Sequence, residues 1–222
     1  MYPMWAFLYR NENRTRMDAL SRKQHWEAVY QHKVLEQASW YQATPDTALF
    51  FLQFYQLPGT ARIIDIGGGD SLLADHLLDL GYGHVSVLDI SEKALERAQK
   101  RLGQRAGRVT WIAQDVVDFK PVEPYDFWHD RAAFHFLKEA EDIRHYVEAA
   151  AFGVRKGGIL LVGAFSTDGP NRCSGLDVVQ YDEEHLVACF QPYFQPLQCV
   201  RKDHLTPSGT VQNFVFCCLT RV

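Results

Sequence analysis

A run of three glycines after a short apolar segment is the clearest place in this sequence for ligand chemistry. Residues 62–71 read Arg-Ile-Ile-Asp-Ile-Gly-Gly-Gly-Asp-Ser, and apolar residues at helical spacing follow. The pattern predicts a buried strand that leads through a glycine turn into a helix. Glycines let a backbone approach a ligand closely, and a helix N-terminus offers free N–H groups. We therefore interpret the segment as a ligand-binding turn, the alternative being a tight turn without a ligand.

An aspartate stands at the end of the next predicted strand. Asp89 follows Gly69 by twenty residues. At this spacing a carboxylate can accept hydrogen bonds from both hydroxyls of a ribose. The alternative role is a helix N-cap, which Ser91 fills better. The two segments together favour a nucleoside-containing ligand.

The glycine loop also bears on which nucleotide binds. A dinucleotide-binding loop has a third glycine three residues after Gly69, where this chain has Leu72. Asp65 would repel a pyrophosphate, whereas it suits the cationic amino group of a methionine moiety. The sequence thus disfavours a nicotinamide-dependent enzyme.

Three segments of the chain resemble the class I S-adenosylmethionine-dependent methyltransferases: residues 65–71, 87–90 and 114–116. The resemblance spans about residues 60–165 and implies S-adenosylmethionine as the cofactor. It assigns the methionine part to Asp65, Gly67, Gly68 and Gly69, the ribose to Asp89, the adenine face to Ile90, and the adenine to Asp115 and Val116. Ser71 replaces the third glycine of the idealised family loop, and we include it in the predicted cofactor site.

Polar residues interrupt an apolar stretch where the fourth strand is predicted to end. We take His129, Asp130, Arg131 and His135 as the catalytic candidates, because acceptors bind beyond the carboxyl ends of parallel strands. Methyl transfer needs a base only when the acceptor must lose a proton. The alternative is an ion pair between Asp130 and Arg131. No metal site is expected, because the two histidines lack further ligands.

The stretch that contains these candidates also bears on the acceptor. It lacks the Asn/Asp-Pro-Pro-aromatic motif of methyltransferases that modify planar amino groups. It is more similar to the Asp-Arg/Lys-small-small-apolar stretch of thiopurine methyltransferases and of some lysine methyltransferases. By that similarity Arg131 faces the acceptor.

An aromatic pair, Trp40 and Tyr41, has no helical or strand periodicity. It predicts a lid over the cofactor, the alternative being a hydrophobic staple between helices. With residues 25–30 and 168–176, the pair resembles a largely uncharacterised bacterial group of class I methyltransferases. Arg172 in the last of these segments either holds an acidic acceptor or is solvated.

The elements that must position these residues follow from periodicity. Helices are predicted at 21–37 and 45–55, before any strand, and then at 71–80, 91–103, 138–154 and 181–190. Strands are predicted at 63–66, 85–89, 109–113, 125–128, 158–164, 197–201 and 214–219. Because the last two are joined by turn residues at 206–209 rather than by a helix, they form an antiparallel hairpin. We expect an α/β, Rossmann-like, seven-stranded sheet, mostly parallel, with helices on both faces.

The chain has 222 residues, which favours one methyltransferase domain over 1–222, with a helical lid at 1–57 and a Rossmann-like core at 58–222. A formal charge of −4 makes nucleic acid an unlikely partner. Without an added recognition domain, a small-molecule acceptor is favoured over a protein lysine. A noncatalytic cofactor-binding protein is a further alternative, and the oligomeric state cannot be inferred.

Five cysteines match neither a zinc pattern nor a disulfide framework, and we predict reduced thiols in a cytoplasmic protein. Residues 1–8 are apolar, but the run is too short for an export signal and charged residues follow. No membrane span is predicted.

Overall fold

A computed structural model describes residues 19–222, in which a seven-stranded sheet carries helices on both faces. The helices are α1 Ala19–His32, α2 Asp46–Phe54, α3 Leu73–Asp79, α4 Glu92–Leu102, α5 Ala140–Gly153 and α6 Glu183–Cys189. The strands of the main sheet are β1 Arg62–Ile66, β2 His84–Asp89, β3 Val109–Ala113, β4 Tyr125–Arg131, β5 Val154–Phe165, β8 Phe194–Leu205 and β9 Val211–Arg221. Two short strands, β6 Arg172–Cys173 and β7 Leu176–Asp177, form a separate hairpin.

The strand order is β3-β2-β1-β4-β5-β9-β8. The first five strands are parallel, and β9 and β8 close the sheet as an antiparallel pair. The predicted Rossmann-like sheet and its terminal hairpin are therefore confirmed. Because parallel strands end at one edge, this order brings the ends of β2, β1 and β4 side by side.

Two apolar layers hold the helices to the sheet. On one face, Phe51 of α2, Leu77 of α3 and Leu95 of α4 are buried in one cluster. On the other, Tyr146 of α5 and Leu186 of α6 belong to a second cluster. A sheet that buries both faces needs near-continuous apolar strands, and the pattern of β1 and β5 shows this.

The fourth strand is longer than predicted. It was expected to end at residue 128 but continues to Arg131, because it stays paired with β5 up to Gly163. Side chains alternate across a strand, so His129 and Arg131 lie on one face and Asp130 on the other.

Asp130 anchors the end of β4. Its buried carboxylate accepts hydrogen bonds from the backbone N–H groups of Ala133 (2.9 Å) and Phe134 and from the Tyr146 hydroxyl (2.7 Å). The turn that it holds contains Ala132 in the left-handed region, at φ 72°. The alternative of an ion pair between Asp130 and Arg131 is wrong, since the carboxylate is turned towards α5.

The N-terminal helix is shorter than predicted. It ends at His32 rather than at 37, because Arg97 of α4 donates to the carbonyl groups of Tyr30 and Lys33 and so takes over the helix end. A 3-10 turn, Leu35–Gln37, follows. The predicted third helix also begins later, at Leu73, because the turn continues through Ser71.

The prediction of reduced thiols is wrong for two of the five cysteines. Cys199 and Cys217 form a disulfide. They stand opposite each other on β8 and β9, which brings their side chains to the same face of the sheet. Cysteine spacing along the chain does not show this register.

One of the two predictions about export and membranes concerns residues that the structure does not describe. Residues 1–8, which we judged too short for an export signal, lie there. Within residues 19–222, no helix is both long and apolar enough to cross a bilayer.

Replacing the anchor at the end of β4 has a measurable cost. Asp130→Ala would leave three buried donors without their acceptor and should lower the free energy of unfolding by about 2–4 kcal/mol. Asp79→Ala removes an exposed ion pair with Arg105 and should change it by less than about 1 kcal/mol. Urea unfolding measures both. An Asp130→Ala value as small as that of the control would contradict the anchoring role.

Candidate functional site

Asp65, at the end of β1, has a buried carboxylate that joins two neighbouring elements. Its Oδ2 accepts from the Ser71 hydroxyl at 3.1 Å, and its Oδ1 lies 2.7 Å from Nδ1 of His129 on β4. Since a carboxylate only accepts, Nδ1 carries a proton, and in the neutral form of the ring Nε2 keeps a lone pair. The pair orients His129 towards the cavity described below.

The glycine turn fits around this carboxylate. A Cβ atom at Gly68 would lie 2.5 Å from Oδ2 of Asp65. Gly67 and Gly69 have φ angles of 62° and 49°, which side chains rarely allow. Any larger residue at these positions would fill the space above the sheet edge, so the turn keeps a cradle open for a ligand.

A cavity lies beyond the end of β2, and we name it the β2-side cavity. The predicted residues that line it are Gly67, Asp89, Ile90, Asp115 and Val116. Asp89 accepts the backbone N–H of Ser91 at 2.8 Å through one oxygen. Burial raises the pKa of Asp89 to about 7, and the nearby carboxylates of Asp70 and Asp65 add to this rise. The site therefore holds a carboxylate whose ionisation is disfavoured without a bound donor or cation.

Asp115 is in the β2-side cavity but also has a partner on α1. Its Oδ2 accepts from Arg22 Nε at 2.9 Å, and its Oδ1 accepts the backbone N–H of Val117. Arg22 also pairs with Asp142 of α5. A carboxylate has about four acceptor sites, so Asp115 can still receive a further donor. Arg22 fixes one end of α1 over this cavity.

A second cavity adjoins the first at the ends of β1 and β4, and we name it the β4-side cavity. The predicted residues that line it are Trp40, Tyr41, Asp65, Gly67, Gly68, Ser71, His129 and Arg131. Trp26, Tyr30 and Phe136 line both cavities. All of the residues predicted for the cofactor except Gly69, and two of the catalytic candidates, thus line these two adjoining cavities.

Arg131 has an unusual environment for a cation. Its Nη1 donates to the carbonyl of Trp40 at 2.9 Å, and its guanidinium lies 4.8 Å from the centre of the Phe214 ring. Burial lowers the pKa of Arg131 to about 10, so it stays charged at neutral pH. Its Nη2 is buried without a hydrogen-bond partner among the described residues.

Two of the four catalytic candidates do not line either cavity. Asp130 lies on the opposite face of β4, as described above. His135 is fully buried against Phe165, and burial, aided by the charge of Arg131, lowers its pKa to about 3. His135 is thus a neutral packing residue, and the geometry leaves His129 and Arg131 as the candidates that can meet a substrate.

Aromatic side chains close the top of the two cavities. Trp26 and Tyr30 of α1 pack edge-on against Trp40, with ring centres 6.2 Å and 5.9 Å from its ring centre. The Tyr30 hydroxyl lies directly over Gly69. Trp26 and Tyr30 are functional candidates that the sequence analysis missed, because at four-residue spacing they look like the core face of a helix.

The loop after β5 contributes a free thiol to the β4-side cavity. Cys173 of β6 lines the cavity, and burial raises its pKa. Its neighbour Arg172 is exposed and pairs with Asp177 of β7. Arg172 therefore points away from the cavity, which agrees with the solvated alternative.

Comparisons with known proteins agree with this geometry. Residues 63–158 match the family model described as a methyltransferase domain. No curated protein matches the chain.

Solved structures resemble the chain over most of its length. A Burkholderia thailandensis 1,6-didemethyltoxoflavin-N1-methyltransferase, solved with 1,6-didemethyltoxoflavin and S-adenosylhomocysteine bound, has a TM-score of 0.75 at 16% identity, covering 96% of this chain and 93% of that one. An Anabaena variabilis S-adenosylmethionine-dependent methyltransferase has a TM-score of 0.69 at 16% identity, covering 96% and 100%. A protein from a study of disulfide-to-thioacetal conversion in echinomycin biosynthesis has a TM-score of 0.72 at 19% identity, covering 90% and 91%. At these identities the likeness shows a shared fold.

The ionisation of Asp89 gives a prediction about stability. The pKa of Asp89 is higher in the folded protein than in the unfolded chain, so the unfolded chain loses this proton first as pH rises. The stability of the folded protein is therefore highest below about pH 4 and decreases as pH rises towards 7. Asn has no proton to lose. The free energy of unfolding of ligand-free Asp89→Asn, minus that of the parent, should therefore rise by about 2–3 kcal/mol from pH 5 to pH 8.

Asp182, the N-cap of α6, gives a control of opposite sign. The backbone N–H and the ring of His185 lower its pKa, so its contribution is lost as pH falls. For Asp182→Asn the same difference should decrease as pH rises towards about 4–5, and it should stay flat from pH 5 to pH 8. A flat or falling curve for Asp89→Asn would show that burial does not penalise its charge.

Proposed function

We propose that this chain is a class I S-adenosylmethionine-dependent methyltransferase that transfers the methyl group to a small molecule held in the β4-side cavity. The observation that carries the proposal is the continuous space between the glycine cradle and the pair His129 and Arg131. The cofactor has a place on one side of that space, and an acceptor has a place on the other.

The side chains present fit the cofactor in charge and shape. Asp89 would accept the ribose hydroxyls, and Asp115 the adenine amino group, between Ile90 and Val116. Asp65 would face the amino group of the methionine part. Its carboxylate stays accessible to the cradle because Gly68 has no side chain.

The bound cofactor supplies an electrophilic methyl group on a positively charged sulfur. The protein contributes position and exclusion of water, which are the main requirements for a displacement of this kind. Where the acceptor atom carries a proton, Nε2 of His129 would receive it, because Asp65 holds the ring with Nδ1 protonated. Asp130 acts only through the backbone, by fixing the turn after β4.

The aromatic side chains that cover the two cavities, which we name the aromatic roof, indicate the size of the acceptor. Trp26, Tyr30 and Trp40 pack on one another over the cavities, and α1 is tied to α4 through Glu27, which accepts the backbone N–H of Glu92. A protein segment or a nucleic acid strand would need this roof to be displaced. The methyltransferase from Burkholderia in the comparison, which binds 1,6-didemethyltoxoflavin, supports a small acceptor.

Labelled methyl transfer tests the proposal. We expect that the protein, given methyl-labelled S-adenosylmethionine and a cell extract, forms a labelled product that passes into the small-molecule ultrafiltrate and is separated there from S-adenosylmethionine. The matched control is Asp89→Ala, which should bind S-adenosylhomocysteine more weakly by about 1.5–3 kcal/mol because hydrogen bonds to a charged group are lost. Isothermal titration measures this loss.

Each other outcome favours a specific alternative. Label in the protein fraction would favour a protein-lysine acceptor. The absence of any labelled product, with cofactor affinity intact, would favour a noncatalytic cofactor-binding protein. Equal affinity of Asp89→Ala and the parent would remove Asp89 from the cofactor site.

We also propose that the segment around Trp40 and Tyr41 is a lid. Two hydrogen bonds hold it in place: Nη1 of Arg131 donates to Trp40, and His204 Nε2 lies 2.7 Å from the carbonyl of Ser39. S-adenosylhomocysteine should raise the hydrogen-exchange protection of residues 39–42, while α6, on the other side of the sheet, should not change. Protection that rises only at 67–69 would leave the pair as ordinary packing.

A further inference from the structure

Arg131 is a buried cation that forms no ion pair among the described residues. Among the described residues no carboxylate forms an ion pair with it, and its Nη2 has no hydrogen-bond partner. Buried charges are normally paired, because removing a charge from water is costly. The missing partner therefore needs an explanation.

The neighbouring groups do not supply that partner. The two carboxylate oxygens of Asp65 are directed to Ser71 and His129. The thiol of Cys173 is kept neutral by burial. The guanidinium also donates to the carbonyl of Trp40 and lies over the Phe214 ring. Neither group neutralises its charge.

We propose that Arg131 binds a carboxylate of the acceptor, so that the substrates of this enzyme are small organic acids. This inference rests on the proposed function, in which the acceptor occupies the β4-side cavity. Arg131 lines the cavity, and its Nη2 has two N–H groups without an acceptor among the described residues. A carboxylate oxygen is their best match in charge and geometry. Trp40 and Phe136 would face the apolar body of the acid.

The charges at the two ends of the space are consistent with this assignment. The β2-side cavity is lined by the carboxylates of Asp89 and Asp115, which would repel an acid, whereas the β4-side cavity is lined by Arg131. Asp65 also lines the β4-side cavity, but its two oxygens are directed to Ser71 and His129. An acid is thus attracted to one end and kept from the other. Opposite potentials of this kind fix the orientation of a ligand.

Matched pairs of acids and amides test the inference. Benzoate with benzamide, 2-naphthoate with 2-naphthamide, and acetate with acetamide differ in charge but little in shape. Titration calorimetry, with S-adenosylhomocysteine at saturation, should show that at least one acid binds about tenfold or more tightly than its amide. In Arg131→Met the apolar stem is kept and the preference should fall below about twofold, measured at an S-adenosylhomocysteine concentration that saturates the variant. Arg172→Met, which removes an exposed arginine of the adjacent hairpin, should keep the preference.

Two results would overturn the inference. One is the absence of an acid preference in every pair with the parent protein, which decides the matter even where Arg131→Met does not fold. The other is a preference that persists in Arg131→Met or in Arg131→Gln. A failure of the proposed function would appear separately, as a lack of S-adenosylhomocysteine binding. The acid and amide pairs can then be compared without S-adenosylhomocysteine.

Discussion

The buried carboxylate of Asp65 is the constraint to which the rest of the site is fitted. A carboxylate placed at the end of a central strand loses most of its hydration and must recover hydrogen bonds from the protein. It does so from the Ser71 hydroxyl of the glycine turn and from the His129 ring of the neighbouring strand. These two bonds join the part of the site suited to the cofactor with the part suited to the acceptor.

Stability and ligand binding are in conflict at Asp89. A buried carboxylate with a raised pKa does not help the empty protein at neutral pH. The Tyr30 hydroxyl and Asp89 both lie close to Gly69, so the roof adds to the burial of this carboxylate. The same burial strengthens any hydrogen bond that a ribose donates, because charges interact more strongly where water is excluded. An active site that retains such a group gives up stability for affinity.

The sequence was sufficient for the sheet and for the outline of the site, and the reasons differ by element. The parallel strands have apolar runs between helical patterns, so their order along the chain and the type of each element were predictable. Asp65, the glycines and Asp89 follow strand ends directly, which made their common position predictable. Trp26 and Tyr30 could not be assigned in this way, because their function depends on where α1 docks. The same holds for the disulfide of Cys199 and Cys217, which requires the register of β8 and β9.

The position of Arg131 shows how packing far from a site sets its chemistry. Arg131 is paired with Gly163 of β5, and Gly163 is paired with Phe216 of β9. A side chain at Gly163 would collide with the Phe216 ring, so the glycine lets this ring lie flat over the strand. Phe216 stacks on Phe214, with ring centres 5.7 Å apart, and Phe214 supports the guanidinium. Because a shift of one residue would move every side chain of β4 to the other face, this register also keeps Arg131 in the cavity and Asp130 out of it. The cation that lines the β4-side cavity is thus supported by a strand glycine and two stacked rings, none of which carries a charge.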